Sequence, residues 1–103
     1  MSERYRIIIL PRASSDISRT FNYIEKKSAQ NAVSVATRVI EAIDSLMEMP
    51  QRCKVYRSSR DPNHVVHALS LPPFIIYYRV IPSERIVVVL TIRHGAQRQP
   101  RRF

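Results

Sequence analysis

The residues best suited to chemistry are cations in the second half of the chain: Arg52, Lys54, Arg57, Arg60, Arg79 and Arg93. RNA can be cleaved without metal when a base activates the 2′-hydroxyl and Arg or Lys groups stabilise the pentavalent phosphorane. A plain anion-binding surface uses the same residue types, so both uses stay open. Other templates fail. Gly95 is the only glycine, which leaves no Gly-rich phosphate loop. His64 and His67 stand three apart on an expected strand, project to opposite faces and form no chelate; with His94 they read as structural or surface histidines. Cys53 is the only cysteine, so no internal disulfide forms and no zinc site holds more than one thiolate. Arg52 and Lys54 beside it would lower its thiol pKa, but a lone half-buried thiol is the plainer reading. No metal and no cofactor is expected.

The charge pattern says more about partners. The formal net charge is +9. Residues 1–50 hold seven Lys or Arg against six Asp or Glu, whereas residues 51–103 hold ten against two. No acidic residue follows Glu84, while Arg85, Arg93, Arg98, Arg101 and Arg102 do. Such asymmetry implies an acidic partner: nucleic acid, ribosome, acidic protein or anionic membrane. The longest aliphatic runs, Ile7–Leu10 and Ile86–Leu90, are far short of the roughly 20 residues of a membrane span. The run at Ile7 ends at Pro11, too short for a signal sequence, so a cytoplasmic protein is expected.

The elements that must position these cations follow from periodicity. The length suits one domain, taken as residues 1–103 with a basic tail over about 94–103. Residues 4–10 are β-branched and apolar and predict a buried strand. Ser14, Ser15 and Asp16 then suggest a helix start, with Ile17, Phe21 and Ile24 as its stripe and Lys26–Lys27 at its end. Ser28 can cap a second helix, in which Ala32, Val35, Ala36, Val39, Ile40, Ile43, Leu46 and Met47 keep the helical rhythm until Pro50. So short a link makes an antiparallel helical hairpin. Beyond it, residues 53–57, 64–71, 74–81 and 85–93 read as strands, with turns at 58–63 and at Pro82–Glu84. The chain is therefore α+β in the order β-α-α-β-β-β, with a possible further strand. The hairpin packs on one face of a small, mainly antiparallel sheet.

Alternation sorts the strand residues by face. Phe74, Ile76, Tyr78 and Val80 oppose Ile75, Tyr77, Arg79 and Ile81. Ile86, Val88, Leu90 and Ile92 oppose Val87, Val89, Thr91 and Arg93. The set with Tyr77, Arg79, Thr91 and Arg93 is the more polar and is expected to face away from the helices. It could meet phosphates and bases, or be a half-solvated face where arginines snorkel.

The element order and its local motifs resemble the RelE/ParE superfamily of bacterial toxins from type II toxin–antitoxin modules. YRIIILPRASSDISRTFNYI, with Ala13, Asp16–Ile17 and Tyr23–Ile24, is similar to the family's opening. SLMEMP, with Leu46 and Pro50, fits the end of its second helix. PPFIIYYRV resembles its signature strand, and TIRHGAQR its closing motif. The resemblance covers roughly residues 5–98. It implies a toxin of a plasmid-stabilisation type of module, held in a hetero-oligomer by an acidic antitoxin. RelE-like members cleave mRNA on the ribosome with basic residues and a C-terminal tyrosine; ParE-like members inhibit DNA gyrase. Here Ile75 stands where a RelE-like nuclease places an arginine. In the closing motif the expected cations fall on Ala96 and Gln97, with Arg98 one residue on, and no tyrosine occupies the last ten residues. These departures favour the ParE-like, gyrase-binding branch, with Tyr77, Arg79, Arg93, His94, Arg98, Arg101 and Arg102 as target-binding candidates. The alternative is a ribosome-dependent mRNA interferase using Arg52, Lys54, Arg60, Arg79 or Arg98. A second alternative is a non-toxic nucleic-acid- or protein-binding module.

Overall fold

The computed structural model describes residues 4–95 and 99–101. Two helices lie on one face of a five-stranded sheet of order β1-β5-β4-β3-β2. The elements are β1 (Arg6–Ile9), α1 (Pro11–Glu25), α2 (Ala29–Asp44), β2 (Lys54–Arg57), β3 (Val66–Leu71), β4 (Phe74–Ile81) and β5 (Ile86–His94). This is the α+β order anticipated, with the further strand present. β1 pairs parallel to β5, and all other neighbours are antiparallel. The parallel pair follows from connectivity, because the hairpin and the meander separate β1 from β5.

α1 begins earlier than expected. Pro11 occupies its first turn and Leu10 is the N-cap, without a side-chain cap. A proline there forfeits only an N–H that has no helical partner, and its fixed φ suits the helix. Ser14, Ser15 and Asp16 thus lie inside the helix, and Asp16 is released for another task. The other boundaries agree better. Lys26 is the C-cap of α1, and the Ser28 hydroxyl caps α2 by accepting from the Asn31 N–H at 3.3 Å. α2 stops at Asp44, so Leu46 and Met47 sit in a following 3-10 turn. His64 also lies in a 3-10 turn rather than on β3.

The core beneath the helices is aliphatic. Ala13, Ile17 and Ile24 of α1 and Val35, Val39 and Ile43 of α2 meet Ile7, Phe74, Ile76, Val89 and Ile92 of the sheet. Leu46, Tyr78, Val80 and Val87 continue it toward the second helix end. Each fully buried aliphatic side chain here contributes roughly 1.5–3 kcal/mol. Ile40 does not join; it is 54% exposed on the outer face of α2.

Strict alternation fails along β5. A β-bulge opposite Tyr77 and Tyr78 inserts a residue, so that Tyr77 pairs with Thr91 but Tyr78 with Val89. Before the bulge Val87 and Val89 face the helices, and Ile86, Val88 and Leu90 face away. After it Ile92 faces the helices and Arg93, paired with Ile75, faces away. The expected phase is therefore inverted over 86–90 and restored at 92–93. The far face is also less polar than expected: Val66, Tyr77, Ile86, Val88 and Leu90 form a buried cluster there.

Candidate functional site

The far face carries the sequence-predicted cations that the fold brings together. Strand pairing aligns Lys54 with Ala68, Ala68 with Tyr77, Arg57 with Val66, and Val66 with Arg79. Paired residues share a face, so Lys54, Arg57, Arg79 and Arg93 surround Tyr77 on one side of the sheet. Arg79 and Arg93 are half-buried, and the Nε of each is buried without an acceptor. Lys54 and Arg57 are exposed on β2. Among the described residues, no acid is hydrogen-bonded or ion-paired to Lys54, Arg79 or Arg93.

Two tyrosines and the end of the chain organise this face. The rings of Tyr56 and Tyr77 meet edge to face at 4.7 Å. Tyr77 is 1% exposed and donates its hydroxyl hydrogen bond to Oε1 of Gln99. Tyr56 donates to the Pro100 carbonyl at 3.0 Å, and Arg57 donates to the Arg101 carbonyl. Residues 99–101 thus cross from Tyr77 on β4 to Arg57 on the edge strand β2, and Pro100, between them, is buried. Desolvation, with Tyr56 nearby, pushes the Tyr77 phenol up to about 12, outweighing the opposing field of Arg93. A phenol held neutral in this way donates hydrogen bonds and is not a general base near neutral pH.

The remaining predicted site residues do not converge. Arg52 is a structural cap. Its guanidinium donates to the carbonyls of Ser45 (3.2 Å), Glu48 (2.9 Å) and Met49 (3.3 Å) and to the Ser45 hydroxyl (2.8 Å). Those carbonyls lie past the end of α2, where helical partners run out, and a cation suits that pole. The sequence placed Arg52 among catalytic cations because its role depends on acceptors seven and fewer residues upstream. Arg60 is exposed in the turn before β3. Arg98 and Arg102, with Ala96 and Gln97, lie outside the described residues. Arg101 is exposed. His94 is exposed on β5 with its ring edge-on to Phe74 at 5.7 Å. His67, by contrast, is buried, stacks on Tyr78 and donates from Nδ1 to the Cys53 carbonyl at 3.0 Å. It is a satisfied core histidine. Among the described residues no three His, Cys, Asp or Glu side chains gather in a metal-binding group.

Sequence reasoning missed a second feature, a groove of about 600 Å³ between α1 and the ends of β4 and β5. Ile24, Val35, Phe74 and Ile92 give it an apolar floor, and Arg19, Arg93 and His94 line it with basic groups. It opens because β1 is short: its pairing with β5 stops at Ile9 and Val89. Asp16 takes over from the missing strand by accepting from the Ile92 N–H at 3.2 Å. On the rim, Tyr23 accepts from Lys27 at 3.0 Å, and that ammonium holds the exposed phenol below its usual range. The helical stripe motif alone could not reveal the groove, since its opening depends on strand lengths.

No helix among the described residues is long and apolar enough to cross a membrane. Comparison with known proteins agrees with the architecture. The family described as ParE toxin of type II toxin–antitoxin system, parDE, matches residues 7–99. A curated relative, Toxin RelE2 of Caulobacter vibrioides, is 33% identical over 86 residues, spanning 84% of this chain and 90% of the relative. Among solved structures, the chromosomal ParDE system of P. aeruginosa superposes with a TM-score of 0.69 at 20% identity, covering 90% of this chain and 98% of that one. The toxin–antitoxin complex RelBE2 of Mycobacterium tuberculosis gives 0.59 at 20% identity, covering 91% and 94%. These two share the fold. With the β-α-α-β-β-β-β order and a family match that spans nearly the whole chain, the protein belongs to the ParE toxin family of type II toxin–antitoxin systems, within the RelE/ParE superfamily.

Proposed function

We propose that this toxin arrests growth by binding DNA gyrase rather than by cutting RNA, and that an acidic antitoxin neutralises it. The observation that carries this reading is that two cations a nuclease would need, Arg52 and Arg60, stand apart from the face that gathers Lys54 and Arg79. Arg52 is consumed by carbonyls of its own turn. Ile75, opposite Arg93, places an aliphatic side chain where a RelE-like nuclease has a guanidinium. Tyr77 is locked neutral under Gln99. What remains is a rigid cationic face suited to gripping an acidic surface. The groove between α1 and β5 suits the antitoxin: an apolar floor for its hydrophobic side chains, and Arg19, Arg93 and His94 for its acids.

The test is a supercoiling assay with purified toxin, beside a translating extract programmed with defined mRNA. Inhibited supercoiling with intact message is expected. A second reading, a ribosome-dependent mRNA interferase, draws on the likeness to Toxin RelE2 and on the acceptor-free Nε atoms of Arg79 and Arg93. Codon-positioned cuts that vanish with Arg79→Ala would establish it in place of the first. Absence of growth arrest on induction would favour a non-toxic binding module.

A further inference from the structure

The groove between α1 and β5 has an apolar floor and basic groups on both walls. The floor takes one side chain from each of four elements: Ile24 of α1, Val35 of α2, Phe74 of β4 and Ile92 of β5. Arg19 stands on the α1 wall, bonded to Asp16 at 2.8 Å yet 73% exposed. Beside it Tyr23 carries the Lys27 ammonium 4.8 Å from its ring centre. Arg93 and His94 stand on the β5 wall. Two modes of peptide recognition fill grooves of this kind, an added strand and an amphipathic helix. An added strand needs the main-chain groups of the β5 edge. There the Ile92 N–H already donates to Asp16 at 3.2 Å, and the Thr91 hydroxyl donates to the same oxygen at 2.5 Å. The Asp16 side chain thus fills the place where a strand would lie. A strand would also turn its main chain toward the two walls, because its side chains alternate above and below. A helix meets both demands. A stripe at i, i+3, i+4 and i+7 reaches the floor, and the residues flanking the stripe reach either wall.

We propose that the antitoxin enters this groove as an amphipathic helix, its apolar stripe on Ile24, Val35, Phe74 and Ile92, with a row of acids on each side of the stripe. One row meets Arg19 and the other meets Arg93 and His94, so charge complementarity fixes the helix about its own axis. The proposal rests on the reading of the groove as the antitoxin's site and adds the form in which the partner binds. Asp16 sets that form, since a covered strand edge does not accept another strand.

The test is NMR of the complex between full-length toxin, labelled at its Ile and Val methyls, and the isotope-labelled antitoxin of the same module. Ile24→Val and Val35→Ala show which methyl signals belong to the floor. Intermolecular contacts from the methyls of Ile24, Val35 and Ile92 should fall on antitoxin residues three or four apart, in a segment whose Cα shifts are helical. Contacts on every second residue, with extended shifts, would overturn the helix and leave the antitoxin in the groove. An intact complex with no contact from these methyls would overturn the groove reading itself, and the helix with it. The two acidic rows are read separately, by charge reversal at an exposed position on each wall. Arg19→Glu and His94→Glu should each weaken the complex severalfold at low ionic strength. Loss from one wall only would overturn the paired rows.

Discussion

One carboxylate oxygen of Asp16 accepts from the Thr91 hydroxyl at 2.5 Å, although 75 residues separate them. The same oxygen accepts from the Ile92 N–H, and its neighbour accepts from Arg19 at 2.8 Å. A helix side chain thereby completes the edge of a strand that β1 is too short to cover. The side chain of Asp16 is only 13% exposed, so these charge-assisted bonds are largely shielded from water.

Removing this carboxylate should therefore be costly. Asp16→Ala leaves a buried hydroxyl and a strand N–H without their acceptor, and is expected to lower stability by about 2–4 kcal/mol. Thr91→Val removes one donor and keeps the shape, costing about 1 kcal/mol. Urea denaturation of both variants and the double variant measures the coupling; strict additivity would show that the two residues do not act as a unit.

Much of this arrangement was legible in the sequence. Period-two runs and a helical rhythm gave the elements, because each segment buries one side. The Asp16 latch was not, because it depends on where β1 stops and on Pro11 opening the helix. The facing of Thr91 was misread for a related reason. One inserted residue at the β5 bulge shifts the alternation, so no single phase fits both 86–90 and 92–93, and periodicity cannot register an insertion that strand pairing creates. The far face was legible as cationic through Arg79 and Arg93 but not as covered. Its cover comes from Gln99 and Pro100, whose partners on the face, Tyr77 and Tyr56, are more than twenty residues away in the chain.

Alkaline pH should loosen the fold through the tyrosines. Burial raises the Tyr77 phenol to about 12 and raises Tyr78 as well. The unfolded chain loses these protons near pH 10 and the folded chain only at higher pH. The folded state thus holds more protons above pH 10, and stability falls as pH rises from there. Tyr77 alone accounts for about 2 kcal/mol between pH 10 and 12. Thermal midpoints recorded across pH 8–12 should drop steeply, and Tyr77→Phe should flatten the curve above pH 10.

Arg52 separates a structural from a catalytic assignment. Arg52→Ala uncaps the carbonyls of Ser45, Glu48 and Met49 and should cost about 1–3 kcal/mol. Arg52→Lys should recover little, since an ammonium cannot fork to four acceptors as a guanidinium does. Toxicity measured at a temperature where each variant remains folded is expected to match the parent. A folded Arg52→Ala protein without toxicity would return Arg52 to the functional set.

The groove predicts how the antitoxin associates. Arg19 is 73% exposed at its rim, where charge steers encounter more than it holds the complex. Arg19→Glu should slow association roughly tenfold at low ionic strength and change dissociation little. Raising the salt should narrow that gap, because the Debye length shrinks from about 10 Å at 0.1 M to about 3 Å at 1 M. A substitution on the apolar floor should act oppositely. Val35→Ala would trim contact area and speed dissociation at any salt concentration, since apolar burial is not screened. Stopped-flow binding across ionic strengths distinguishes the two. An Arg19→Glu defect confined to dissociation would place the antitoxin on another surface.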